Sequence, residues 1–124
     1  MIEVKQKDGK EILFIKVEYP VSEDEAKNIC TCIFNTVNTS IKTDNWVVAV
    51  DMSEIQIFSQ SIANMVKECQ EFLVQKGATK IATFINSSLL EGQLYRTSKY
   101  ASSQDITERF TNKDDWENYL YSNN

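Results

Sequence analysis

Apolar and charged residues alternate from Ile2 through Gln6. Asp8-Gly9 then offers the positive-φ positions of a tight hairpin turn, and Ile12 to Val17 resume as a strand. The chain should therefore open with a β-hairpin. Tyr19-Pro20 ends the second strand, and Ser22 with Glu25 three residues later forms a capping box that starts a helix. From Ala26 the apolar positions are Ile29, Cys30, Ile33, Phe34 and Val37, all on one helical face that must pack on a sheet. Trp46-Val47-Val48-Ala49-Val50 is a continuous apolar run closed by Asp51, the pattern of a central strand covered on both faces.

Ile62, Met65, Val66, Cys69, Phe72 and Leu73 mark a second amphipathic helix, and Gly77 supplies its left-handed stop. Ile81 to Ile85 reads as the next buried strand. Ser88 with Glu91 can then cap a helix bearing Leu89, Leu90, Leu94 and Tyr95, which Gly92 weakens. Asp105-Ile106-Thr107 leads into a short edge strand ending near Phe110, and Thr111 with Asp114 opens a last helix carrying Trp116, Tyr119 and Leu120. The expected order is ββαβαβαβα. It describes one α/β domain over residues 1–124, with a mixed sheet, one antiparallel hairpin strand and right-handed crossovers that lay helices on the sheet. Ile29, Phe34, Val48, Met65, Cys69, Phe72 and Ile85 are expected to be buried.

Composition narrows the class. With 42% hydrophobic residues, one proline and three glycines in 124 residues, the chain has enough apolar side chains for a packed core. Its formal charge of −5, from 18 acidic and 13 basic residues, repels phosphate backbones and anionic lipid surfaces, so nucleic acid is not an expected partner. No apolar run approaches the about 18 residues of a membrane span, so no membrane insertion is expected and the chain reads as cytoplasmic. Three cysteines, an odd number, read as reduced thiols rather than a disulfide framework. Cys30 and Cys69 lie on the apolar stripes, whereas Cys32 points to roughly the opposite side of its helix. The sequence contains no histidine, which removes the commonest metal ligand, the usual general base and every Ser-His or Cys-His nucleophile arrangement. No zinc spacing, phosphate loop or paired catalytic carboxylate stands in its place, so neither enzymatic activity nor a metal or organic cofactor is expected.

Ligands of open α/β sheets gather beyond the carboxyl ends of the strands. Here that edge carries Asp51, Ser53, Ser59 and Ser61 after the central strand, and Asn86, Ser87 and Ser88 after the next. Ser59 and Ser88 fit helix capping; the functional alternative is a polar rim that accepts an anion or a phosphoryl group.

The order of elements and the segment from Trp46 to Ala63 resemble the STAS domain of bacterial anti-sigma factor antagonists. In that family a strand ending Asp-Leu-Ser-Gly is followed by apolar residues and by Asp-Ser-Ser-Gly at a helix start, where a partner kinase phosphorylates a serine. This chain reads Asp51-Met52-Ser53-Glu54, then Ile55-Gln56-Ile57-Phe58, then Ser59-Gln60-Ser61-Ile62. Ser61 stands at the position of the phosphorylated serine, while Ser59 replaces the aspartate, Gln60 the first serine and Ile62 the glycine. The chain most resembles the divergent SpoIIAA-like subgroup, whose members lack the phosphoserine motif.

The resemblance implies a non-enzymatic, regulatory protein-binding module whose docking rim holds Asp51, Ser53, Ser59, Ser61 and Ile62. It also implies a phosphorylation site at Ser61, with Ser59 as the competing site, and another protein as partner, either a regulatory kinase or an anti-sigma-like factor. A homodimer is an alternative assembly. The topology is also similar to the lipid-carrying Sec14 (CRAL-TRIO) fold, which implies a rival function, the carriage of a small apolar ligand or lipid between sheet and helices. An apolar pocket of several hundred cubic ångströms would favour the carrier, and a filled core with a flat exposed surface the docking module.

Overall fold

The computed structural model describes residues 1–7, 9–100 and 106–121. Strands β1 (Ile2–Lys7) and β2 (Lys10–Lys16) form the antiparallel hairpin, with Gly9 at φ +80° in its turn. Asp8, the other expected turn residue, lies outside the described residues. There follow α1 (Glu23–Ser40), β3 (Trp46–Asp51), α2 (Gln60–Gln75), β4 (Ile81–Phe84), α3 (Ser88–Tyr100), β5 (Thr107–Phe110) and α4 (Lys113–Tyr121). The strands lie in the order β1-β2-β3-β4-β5, and every pair after the hairpin is parallel. The expected order of elements and the central place of residues 46–50 are both found. Of the edge strand, Asp105 lies outside the described residues.

Alternation along the strands divides the core into two layers. Leu13, Ile15, Trp46, Val48, Val50 and Ile81 face α1, α2 and α3, together with Ile33, Val37, Cys69, Leu73, Leu90 and Leu94. Ile12, Val47, Ala49 and Ala82 face the opposite way and are covered by Trp116 and Leu120 of α4. Strands added in one direction through right-handed crossovers must carry their helices on one face, so only the segment after β5 can cover the other. Trp116 fastens that cover. Its indole Nε1–H donates to the Ala82 carbonyl at 2.9 Å, and its ring stacks on Phe84 at 5.5 Å and meets Phe14 edge-on at 6.4 Å.

The ends of α2 follow its sequence signals. Ser59 caps its start, and after it the Gly77 and Ala78 N–H groups donate to the Val74 and Leu73 carbonyls, with Gly77 at φ +98°. Two other starts differ from expectation by one residue. Ser87, not Ser88, accepts from the Leu90 N–H at the start of α3, and Asn112, not Thr111, accepts from Asp114 and Asp115 at the start of α4. In each case the true cap is the polar residue immediately before the first helical one, where its oxygen reaches the free N–H groups of the first turn.

Burial also needs correction. Val48, Cys69 and Ile85 are buried as expected, but Ile29, Phe34, Met65 and Phe72 are only partly buried. Ile29 and Met65 line the space between the helices and the sheet and Phe34 lines the open cleft between α1 and α2, positions at which helical periodicity alone does not separate full from partial burial. Phe34 and Phe72 meet with ring centroids 4.4 Å apart.

Among the described residues Glu11 is the charged residue most completely buried, at 1% exposure. Its Oε1 accepts from the Lys42 and Thr43 N–H groups, both at 2.7 Å, and so ties the loop entering β3 to the start of β2. Burial works against ionisation, but those N–H donors, the Thr43 side chain and the charge of Lys42 prevail and hold the carboxyl below its ordinary 4.5.

Two stability predictions follow from this packing. Replacing Leu73, which is 2% exposed, with Ala should cost about 2–5 kcal/mol in urea unfolding, and Phe72→Ala should cost less because that ring is only partly buried. For Glu11, a carboxyl lowered in the fold stabilises it above pH 4.5 and loses that contribution as the pH falls through the folded value. Glu11→Gln should thus be about 1–3 kcal/mol less stable than wild type at pH 7, with the gap closing below pH 4.5. A gap independent of pH would show that the charge plays no part.

Candidate functional site

Three loops meet at the carboxyl edge of the parallel strands, and hydrogen bonds join them. The Tyr19 N–H, after β2, donates to Glu54 Oε1 at 3.3 Å; the Ser87 hydroxyl, before α3, donates to the Gln56 carbonyl at 2.6 Å. Gln93 of α3 grips the β3–α2 loop at two points. Its Oε1 accepts from the Phe58 N–H and its Nε2 donates to the Phe58 carbonyl, each at 2.9 Å. Below this loop Met52, Ile55 and Phe58 are buried, so the segment is anchored by its own side chains as well.

The expected rim residues take up different tasks. Asp51, at the end of β3, accepts from the Ser53 N–H at 2.9 Å and from the Ser53 hydroxyl at 2.6 Å, so both residues close a local turn. Ser59 is the N-cap of α2 and accepts from the Ile62 N–H at 3.2 Å. Ile62 is 6% exposed and belongs to the core, so it cannot touch a docked partner; its position in the third residue of α2 turns it toward the sheet. Ser61 alone of the five faces outward without a structural task in the loop. It is half-buried and lines a cleft of about 640 Å3 between α1 and α2, with Lys27, Phe34, Met65 and Glu68.

What the sequence reading missed is the apolar content of the rim. Tyr19 and Ile57, 70% and 56% exposed, stand on two of these loops, and Leu89, 65% exposed, is the second residue of α3, just after the third. Their signal lay in position: each follows a parallel strand, off the stripes that pack inward. Glu18, Glu23, Asp24 and Glu25, near Tyr19 in the chain, and Glu54, three residues before Ile57, are all exposed. Beside this rim a polar groove of about 240 Å3 between α2 and α3 is lined by Gln60, Asn64, Lys67, Gln93, Arg96 and Thr97.

Between the sheet and helices α1 and α2 lies an apolar cavity of about 70 Å3, bounded by side chains such as Ile15, Val50, Ile33, Phe58, Ile62 and Leu73. Binding pockets for drug-sized molecules occupy about 300–1,000 Å3, so this space falls well short of an acyl chain's needs. Among the described residues, no helix is long and apolar enough to cross a membrane.

Five parallel and antiparallel strands in sequential order, three helices on one face and one on the other, define the SpoIIAA-like, or STAS-like, fold. The crystal structure of an uncharacterised protein of the DUF3478 family with a SpoIIAA-like fold, from Shewanella loihica, superposes with a TM-score of 0.58 at 15% sequence identity, covering 97% of this chain and 92% of the other. No protein-family model matches the sequence, nor does any curated protein.

The cap and the outward serine are separable. Ser59→Ala should lose about 1 kcal/mol of stability, whereas Ser61→Ala should leave the thermal midpoint nearly unchanged. Equal losses at the two positions in thermal unfolding would mean that Ser61 also holds the helix start.

Proposed function

We propose that this protein is a non-enzymatic, STAS-like regulatory module that docks another protein through the carboxyl-edge rim and the exposed side of α2. The observation that carries this reading is the rim itself. Three large apolar side chains stand in water there, Tyr19 and Ile57 on loops and Leu89 in the first turn of α3, and hydrogen bonds join these segments. Isolated exposed apolar residues need no explanation, but three on adjoining, mutually anchored segments resemble the apolar centre of an interface ringed by polar groups. The exposed carboxylates near Tyr19 and Ile57 in the chain suit a partner that presents basic residues around an apolar contact.

Two further points support this reading over the carrier of an apolar ligand. The cavity between helices and sheet is too small for a lipid, and the strand order never reverses, so no crevice opens at a switch point of the sheet. Ser61 is the position through which such docking would be regulated. A phosphoryl group there would meet the free N–H groups of the first turn of α2 while adding nearly two negative charges beside Glu68 in the α1–α2 cleft.

The test is capture of a partner from the native cell, followed by binding measurements on variants. Ile57→Asp and Leu89→Asp should each weaken binding at least about tenfold without lowering the thermal midpoint, since neither side chain is packed. Ser61→Asp should weaken binding and Ser61→Ala should not. Wild-type affinity in both rim variants would rule out the rim as the docking surface.

A further inference from the structure

Strand β1 forms one edge of the sheet, and among the described residues no strand lies beyond it. Its backbone groups divide by alternation. The amino group of Met1 donates to the Lys16 carbonyl at 3.2 Å and the Met1 carbonyl accepts from the Lys16 N–H at 2.8 Å, so these two residues are a hydrogen-bonded pair of the antiparallel ladder. Such pairs recur at every second residue, which directs the backbone groups of Glu3 and Lys5 toward Phe14 and Ile12 of β2. The N–H and C=O groups of Ile2, Val4 and Gln6 therefore point away from the sheet. The side chains divide as well. Ile2 and Val4 pack against the core beneath the helices, whereas Glu3 and Lys5 stand on the opposite face with their charged ends 3.4 Å apart.

We propose that β1 pairs antiparallel with β1 of a second copy about a two-fold axis at Val4, joining two sheets into one. In that register Val4 faces Val4, and Ile2 of each copy faces Gln6 of the other, so every outward N–H and C=O of these residues finds a partner. Between them Glu3 of each copy stands opposite Lys5 of the other, in a pair without backbone hydrogen bonds, where side chains come closest. The charges select this register. Sliding one strand by a single ladder step in one direction sets Glu3 against Glu3, and in the other direction sets Lys5 against Lys5. A lysine on an edge strand ordinarily discourages pairing, but a carboxylate two residues before it makes this strand complementary to itself in one alignment.

A second copy is the occupant because reversing the strand turns its order of charges into the order it needs to meet. The contact is isologous and uses the free edge of β1 on both chains, so it closes at two copies. With six residues in the strand, it is of the small, reversible kind. This pairing is independent of what the carboxyl-edge rim binds.

The experiment is sedimentation velocity on the full chain, from about 10 µM to about 1 mM. A reversible shift from the monomer toward twice its mass is expected. Glu3→Lys places a lysine against Lys5 on both sides of the axis and should weaken the dimer at least about tenfold. Adding Lys5→Glu to the same chain restores opposite charges in this register alone, and should return the affinity to within about threefold of wild type. Gln6→Pro removes an outward N–H without touching the ladder to β2, and should abolish the dimer while the monomer keeps its thermal midpoint. A chain that stays monomeric throughout, a dimer that survives Glu3→Lys or Gln6→Pro, or a double variant no better than Glu3→Lys would each overturn the proposal.

Discussion

The strands of this sheet are laid down in one direction, and the rest of the molecule follows from that constraint. Each parallel connection must cross over with the same hand, so α1, α2 and α3 are forced onto one face and compete for space there. The opposite face is left to a helix of nine residues, which can seal it only by presenting its largest side chain. Trp116 serves that purpose because one ring spans Phe14 and Phe84 while its N–H satisfies the Ala82 carbonyl. The two layers therefore differ in kind: one is broad and aliphatic, the other narrow and aromatic.

The crowding of three helices on one side also explains where the openings lie. Helices side by side on a twisted sheet leave grooves between neighbours, and here the α1–α2 groove is lined by Phe34, Met65 and Cys30 while the α2–α3 groove is lined by Lys67, Arg96 and amides. The space under α1 and α2 is small because the sheet-facing positions, among them Ile33, Leu73 and Ile62, reach inward together. Features that could receive a partner are thus on the outside of the helical layer and along its carboxyl edge.

Most of the fold was legible in the sequence because its signals are local. Trp46 to Val50 could be nothing but a strand covered twice, Gly77 could only end a helix, and Asp8-Gly9 marked the hairpin. The two misplaced caps, expected at Ser88 and Thr111 but found at Ser87 and Asn112, arose where adjacent residues could both accept from the first turn. The site was less legible. Asp51, Ser53 and Ser59 carry the residue types of a binding rim, yet they spend their oxygens on a turn and a cap, and Ile62 faces the core. Gln93 gave no sign of its contact with Phe58, 35 residues away, since nothing local to it encodes that meeting. The apolar trio Tyr19, Ile57 and Leu89 is likewise assembled only when three strands align.

Gln93 holds the N–H and the C=O of Phe58 with one carboxamide, which is the hydrogen-bonding pattern of a rung in a β-ladder made by a side chain. A loop so held has already surrendered much of its conformational freedom before anything touches it. Ordering flexible side chains and loops is a main cost of association, about 0.5–1.5 kcal/mol for each immobilised side chain. The segment that carries Ile57 is thus spared part of that entropy loss, and a contact surface of modest area there can still be selective and short-lived, with its strength set by how well the partner fits rather than by how much of the loop must freeze.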